Sequence, residues 1–221
     1  MAEPLLRLER VCKRFDGLLA VDNASFAVEA GRITALIGPN GAGKTTLFSI
    51  ISGFLTPSEG RILHRGAEIT GMPAHLLARR GIVRTFQVAR PFAGLSVHEN
   101  IAIGAHLSRR ARADALEAAA EVASAVGLGD LLGRAAASLT VAGRKRLELA
   151  RALAGRGITI LMIEHVMQAV MRLAEQVFVL AQGRIIAEGT PQAVVGDAAV
   201  IEAYLGHGAA ARLSGAGGAH V

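Results

Sequence analysis

Gly38-Pro39-Asn40-Gly41-Ala42-Gly43-Lys44-Thr45 stands between an apolar segment, Arg32–Ile37, and a segment, Lys44–Ser52, whose apolar residues recur at helical spacing. Strand, glycine-rich loop and helix, in that order, are the context a phosphate-binding loop requires. Glycines let the backbone turn so that successive N–H groups face phosphate oxygens, and a helix starting at Lys44 aims the positive end of its dipole at the same point. Lys44 then reaches the terminal phosphates, and Thr45 offers a hydroxyl to Mg2+. A guanine-specific protein would need an Asn-Lys-x-Asp reader, yet none of Lys13, Lys44 and Lys145 follows an asparagine. Asp130-Leu-Leu-Gly133 is therefore a chance match to a GTPase switch.

Working outward from the loop, Leu5–Val11 and Ala24–Val28 alternate as strands, with turn signals at Asp16-Gly17 and Ala30-Gly31. Gly53 closes the helix after the loop, and Thr56-Pro57-Ser58-Glu59-Gly60 turns the chain into a strand near Arg61–Leu63. A helix at Ala74–Arg80 leads to a strand at Ile82–Phe86, followed by the proline-interrupted loop Val88–Leu95. From Val97 to Leu153 the chain is alanine-rich and helical in period, breaking near Gly127-Leu128-Gly129 and Gly133. Strands return at Ile158–Ile163 and Val177–Ala181, with a helix at Val166–Glu175 between them. The predicted fold is α/β: a phosphate-loop domain over 1–205 with an N-terminal antiparallel β subdomain, a helical lobe over about 88–154, and a disordered glycine- and alanine-rich tail over 206–221.

Composition narrows the class further. With 221 residues the chain suits one domain, and its longest apolar stretch, Ile158–Ile163 with Thr159 inside it, is far short of the roughly 18 residues that cross a bilayer. Its N-terminus lacks the basic-then-apolar order of a secretory signal, so a soluble, cytoplasmic chain is expected. Cys12, the lone cysteine, excludes an internal disulfide and any multi-thiolate metal site and reads as a small buried apolar group. The net charge of +6 comes from arginines spread along the chain, with seven Phe, one Tyr and no Trp among them, too few aromatic platforms for nucleic-acid binding. Mild basicity suits work beside an anionic membrane face.

Several further stretches give the chain a family resemblance. Arg14-Phe-Asp-Gly-Leu-Leu-Ala-Val21, Leu36–Thr46, Val83-Arg-Thr-Phe-Gln87, Leu139–Ala154, Ile163-Glu-His165 and Val200-Ile-Glu-Ala-Tyr-Leu-Gly206 resemble the ATP-binding subunits of ABC transporters, and Val83–Gln87 favours the branched-chain amino acid importers among them. The resemblance implies a phosphate-loop ATPase that works with transmembrane permease subunits, a second identical or paralogous ATP-binding subunit and, indirectly, a periplasmic substrate-binding protein, peripheral on the inner face of the plasma membrane. It implies that Phe15 stacks on adenine, that Gly38, Pro39, Asn40, Gly41, Ala42, Gly43, Lys44, Thr45 and Thr46 hold the phosphates, that Thr45 and Gln87 serve Mg2+, and that His165 contacts the γ-phosphate.

Two departures from the family pattern bear on catalysis. Where the family has Leu-Ser-Gly-Gly-Gln or Leu-Ser-Tyr-Gly-Gln, this chain reads Leu139-Thr140-Val141-Ala142-Gly143, so Thr140 keeps a hydroxyl for the partner's γ-phosphate while Ala142 adds a methyl where glycine admits close approach. Ala150–Ala154 is also joined through Gly155-Arg156-Gly157 directly to Ile158–Ile163. The family's intervening strand, which ends in the Mg2+-ordering Asp and the general-base Glu, has no equivalent, and no Asp-Glu pair occurs anywhere in the chain. Glu164 matches a glutamate the family already carries beside the histidine. Two readings follow: an ATPase subunit of an importer, or a truncated module that holds nucleotide without turnover.

Overall fold

The computed structural model describes residues 3–82, 84, 91–106, 111–154, 159–163 and 167–206. In chain order its elements are β1 (Leu6–Phe15), β2 (Leu18–Val28), β3 (Ile33–Ile37), α1 (Lys44–Ile51), β4 (Glu59–His64), β5 (Ala67–Glu68), α2 (Ala74–Arg79), α3 (Val97–Ala105), α4 (Arg112–Ala125) and α5 (Val141–Leu153), then β6 (Ile160–Ile163), α6 (Met167–Leu173), β7 (Gln176–Ala181), β8 (Arg184–Gly189), α7 (Pro191–Val195) and α8 (Ala198–Leu205). They divide into two compact units, one built from 1–83 and 161–221 and the other from 84–160.

The first unit holds two sheets. One is antiparallel in the order β2-β1-β4-β5; the other runs β6-β3-β7-β8, with β3 and β7 parallel and β8 antiparallel to β7. The β1–β2 hairpin turns at Asp16-Gly17, both with positive φ (41° and 108°), the geometry that matches the twist of the strands it joins. Both strands are longer than the sequence suggests. Register shifts between Leu8 and Val11, and again near Lys13, break the strict alternation by which a strand is read. One core runs through this unit, from Leu8, Val11 and Phe26 through Leu36, Leu47 and Ile62 to Phe178 and Leu180, with the Phe26 and Phe178 rings 4.7 Å apart. Cys12 is buried there, as expected, and its Sγ accepts from the Asn23 N–H at 3.2 Å.

Strand β6 lies directly beside β3. The position beside β3 is therefore filled by β6, the next strand after α5 in the chain. Of the strand expected at Ile82–Phe86, Ile82 and Arg84 are described and neither is in a strand. The remainder lies outside the described residues, as does the tail from 207 onward.

The second unit is helical. Helix α3 opens with a capping box in which the Ser96 Oγ accepts from the Glu99 N–H at 3.1 Å and the Glu99 carboxylate accepts from the Ser96 N–H at 2.9 Å. Those hydrogen bonds hold the Glu99 carboxyl below the ordinary carboxylate value. Gly104 lets α3 meet α5 closely: a Cβ there would fall 1.9 Å from the Arg151 carbonyl oxygen. Alanines at 115, 118, 119 and 123 line the buried side of α4, where small side chains permit close helix packing.

Candidate functional site

The loop after β3 takes the backbone shape its glycines allow. Gly38, Gly41 and Gly43 have φ of 150°, 80° and 98°, and Gly43 caps α1 in the left-handed conformation. Space excludes side chains as firmly as φ does. A Cβ on Gly38 would lie 1.9 Å from the Leu180 carbonyl oxygen, and one on Gly43 would lie 2.3 Å from that of Ala20. The loop is thus seated between the start of β2 and the end of β7, with Ala42 buried and Asn40 and Gly41 exposed.

Lys44 turns back over this loop. Its Nζ donates to the carbonyl oxygens of Gly38 and Pro39, each at 2.7 Å. Partial burial holds the ammonium below the ordinary lysine value, a cost that an anion beside it would offset. Thr45 is exposed and Thr46 half-buried in the first turn of α1. That turn presents unpaired N–H groups and carries no acidic residue, so nothing there repels an anion.

Phe15, at the end of β1, is 42% exposed and lies with the Lys13 Nζ 5.2 Å from its ring centre. An aromatic face left in solvent beside a cation suits stacking against a planar ring. Sequence reading missed Tyr204. Helix α8, capped by Asp197, carries it to the loop entrance, where burial raises its pKa and the Gly38 backbone N–H pulls the other way. A lone tyrosine near a chain end offers no local signal of such a contact.

In the helical unit Thr140 is the N-cap of α5, its Oγ1 accepting from the Gly143 N–H at 3.1 Å. Its own O–H is left to donate elsewhere. Leu139 and Gly143 are buried, whereas Thr140, Val141 and Ala142 are exposed. The Gly143 N–H is thus taken up by this cap. Gln87, Glu164 and His165 lie outside the described residues.

A parallel strand, a three-glycine loop and a helix headed by lysine, set beside an antiparallel sheet, define a phosphate-loop nucleotide-binding cassette. Comparison with known proteins narrows this. The family profile described as ABC transporter matches residues 21–163, and that described as Branched-chain amino acid ATP-binding cassette transporter matches 184–210. The chain belongs to the ABC transporter family, in its branched-chain amino acid ATP-binding cassette branch.

Among its relatives is the high-affinity branched-chain amino acid transport ATP-binding protein BraF of Pseudomonas aeruginosa, 34% identical over 253 residues, with 93% of this chain and 99% of BraF aligned. LivG of Escherichia coli K12 gives the same figures. The 253 aligned positions outnumber the 221 residues of this chain, so both relatives contain residues without a counterpart here. Among solved structures, the ADP conformation of MJ1267, an ATP-binding cassette of an ABC transporter, matches with a TM-score of 0.66 at 30% identity, covering 93% of this chain and all of that one. A nucleotide-free ATP-binding cassette from an ABC transporter matches at 0.64, also at 30% identity, covering 90% and 98%. The expected α/β cassette fold and the family resemblance are both borne out.

Proposed function

We propose that this chain is the ATP-binding subunit of a membrane importer for branched-chain amino acids. The observation that carries the reading is the loop Gly38–Thr45, whose positive-φ glycines, seated lysine and helix start form an anion cradle in a chain alignable along 93% of its length with BraF and LivG. Lys44 releases the Gly38 and Pro39 carbonyls and donates to the β- and γ-phosphates, Phe15 stacks on the adenine, and the N–H groups that open α1 take the remaining phosphate oxygens. The exposed Thr45 hydroxyl is an oxygen donor that suits Mg2+, with Gln87 as second contact. Mg2+, when bound, neutralises charge between the β- and γ-phosphates.

In this reading Leu139–Gly143 faces nucleotide held by a second ATP-binding subunit, His165 contacts the γ-phosphate, and permease subunits dock on the helical lobe over about 88–154. The subunit sits on the inner face of the plasma membrane and serves a periplasmic substrate-binding protein through the permease. Among the described residues no helix is long and apolar enough to span a bilayer, so membrane attachment would come through those partners. The alternative of a truncated module gains nothing from the comparisons. Co-purification with tagged permease subunits tests the assembly, and nucleotide-stimulated uptake of radiolabelled leucine into proteoliposomes tests the role. A chain that joins no permease and supports no uptake overturns the reading.

A further inference from the structure

The carbonyl of Ala42 and the N–H of Gly43 belong to one trans peptide and point in opposite directions. That carbonyl accepts a hydrogen bond from the Gly183 N–H, in the β7–β8 turn, at 3.0 Å. Gly183 is itself held, because its carbonyl accepts from the Asp22 N–H at 2.8 Å. Asp22 is held in turn. Its Oδ2 accepts from both Nε and Nη2 of Arg184 at 2.6 Å, tying β2 to the first residue of β8.

Steric contacts close the same arrangement. The Ala20 carbonyl oxygen lies 2.3 Å from where a Gly43 Cβ would stand and 3.1 Å from where one on Gly183 would stand. Gly183 also has φ of 82°, a conformation that side chains disfavour. Three separated pieces of chain, at 20–22, 42–43 and 183–184, thus converge on one peptide group.

A peptide between a small residue and a glycine in the left-handed region can rotate at little cost, and rotation would turn the Gly43 N–H away from a bound phosphate. Anchoring the carbonyl side blocks that rotation. We propose that the Asp22–Arg184 pair and Gly183 form a brace that presets the Gly43 N–H toward the phosphate site, making Asp22 and Arg184 positioning residues for nucleotide. The brace rests on the reading of Gly38–Thr45 as the nucleotide site. Its gain is preorganisation: a donor that is already aimed loses less freedom when the ligand arrives.

The test uses the full chain labelled with 15N and compares wild type with Arg184→Ala, Asp22→Ala, Arg184→Lys and the swapped pair Asp22→Arg with Arg184→Asp. The Gly43 amide cross-peak, recorded without nucleotide, is expected to be single and sharp in wild type and broadened or doubled in both alanine variants. Affinity for fluorescent ADP is expected to fall about three- to tenfold in either alanine variant, and no further when the two are combined, because both break one brace. Arg184→Lys and the swapped pair should recover part of both signals. A Gly43 peak identical to wild type in both alanine variants, with affinity within about twofold, overturns the brace even if the melting temperature drops. A wild-type chain that binds no ADP overturns the nucleotide reading instead, and the Gly43 peak still decides the brace.

Discussion

The Lys44 ammonium is bound by the loop it serves, 2.7 Å from the carbonyl oxygen of Gly38 and 2.7 Å from that of Pro39. Two neutral carbonyls hold a partly buried cation whose charge they do not cancel. Phosphate would replace them with charge-assisted contacts at little cost in reorganisation.

Lys44→Ala should therefore weaken ATP binding by at least about tenfold, since charge-assisted hydrogen bonds contribute about 1.5–3 kcal/mol. Melting temperature without nucleotide should change little, because the lost contacts and the relieved burial of the ammonium oppose each other. Titration with fluorescent ATP, set beside a thermal melt, checks both halves; unchanged affinity would remove the loop as the binding site.

Hydrolysis is expected to be slow. Water must be oriented by a base and the metal ordered by a carboxylate, and no Asp-Glu pair occurs in this chain. General bases contribute about 10²–10⁴-fold, so phosphate release should lie at least about that far below a version with an apolar strand ending in Asp-Glu, and its following loop and helix, inserted after Ala154. Equal rates in the two, both abolished by Lys44→Ala, would mean that another carboxylate does the work.

Phe92 is 48% exposed, with the Arg151 guanidinium 4.7 Å from its ring centre. Buried Asn100 fixes the loop beneath it. The Asn100 Oδ1 accepts from the Phe92 N–H at 2.9 Å, and its Nδ2 donates to the carbonyls of Phe92 and Ser96 at 3.1 and 2.9 Å. In the proposed assembly this exposed ring belongs to the permease contact. Phe92→Asp should sharply reduce recovery of permease subunits in co-purification while leaving ATP affinity unchanged, and equal recovery would exclude the loop from the contact.

Gly104→Ala should destabilise the helical unit by about 1–3 kcal/mol, because the new methyl meets the Arg151 backbone, which cannot rotate aside. Gly133→Ala serves as control. Nothing lies within 4 Å of a Cβ at Gly133, and its effect should stay within about 0.5 kcal/mol. Urea unfolding of the two variants makes the comparison, and equal midpoints would show that α3 and α5 separate freely.

His64 is buried on β4, and burial, with repulsion from Arg65 and Arg80, lowers its pKa from 6.5. Between that lowered value and 6.5 the unfolded chain binds the proton that the folded chain refuses. Stability is therefore lost as pH falls below 6.5 and levels off below the folded value. His64→Phe should flatten the profile between about pH 7.5 and 5. Parallel urea midpoints for the two proteins across that range would dismiss the effect.

The helix start at Lys44, the strand before the loop and the chain's helical middle were legible because each is written in short-range periodicity or in glycine spacing. Strand β8 was not read as a strand: its half-exposed Arg184–Gly189 segment lacks clean alternation and is defined by pairing with β7. The first half of β2, Leu18–Asn23, was hidden by the bulges of its partner.

Local sequence by itself determined that a glycine-rich loop joins a strand to a lysine-headed helix, because glycine spacing, the lysine and the following helix obey rules that act within about ten residues. Only the tertiary structure decided what supports that loop. Leu180, Ala20, Gly183 and Tyr204 approach it from segments far away in the chain. Their contacts are backbone carbonyls, backbone N–H groups and one phenol, groups whose meeting depends on how two sheets pack and leaves no pattern in the order of residues.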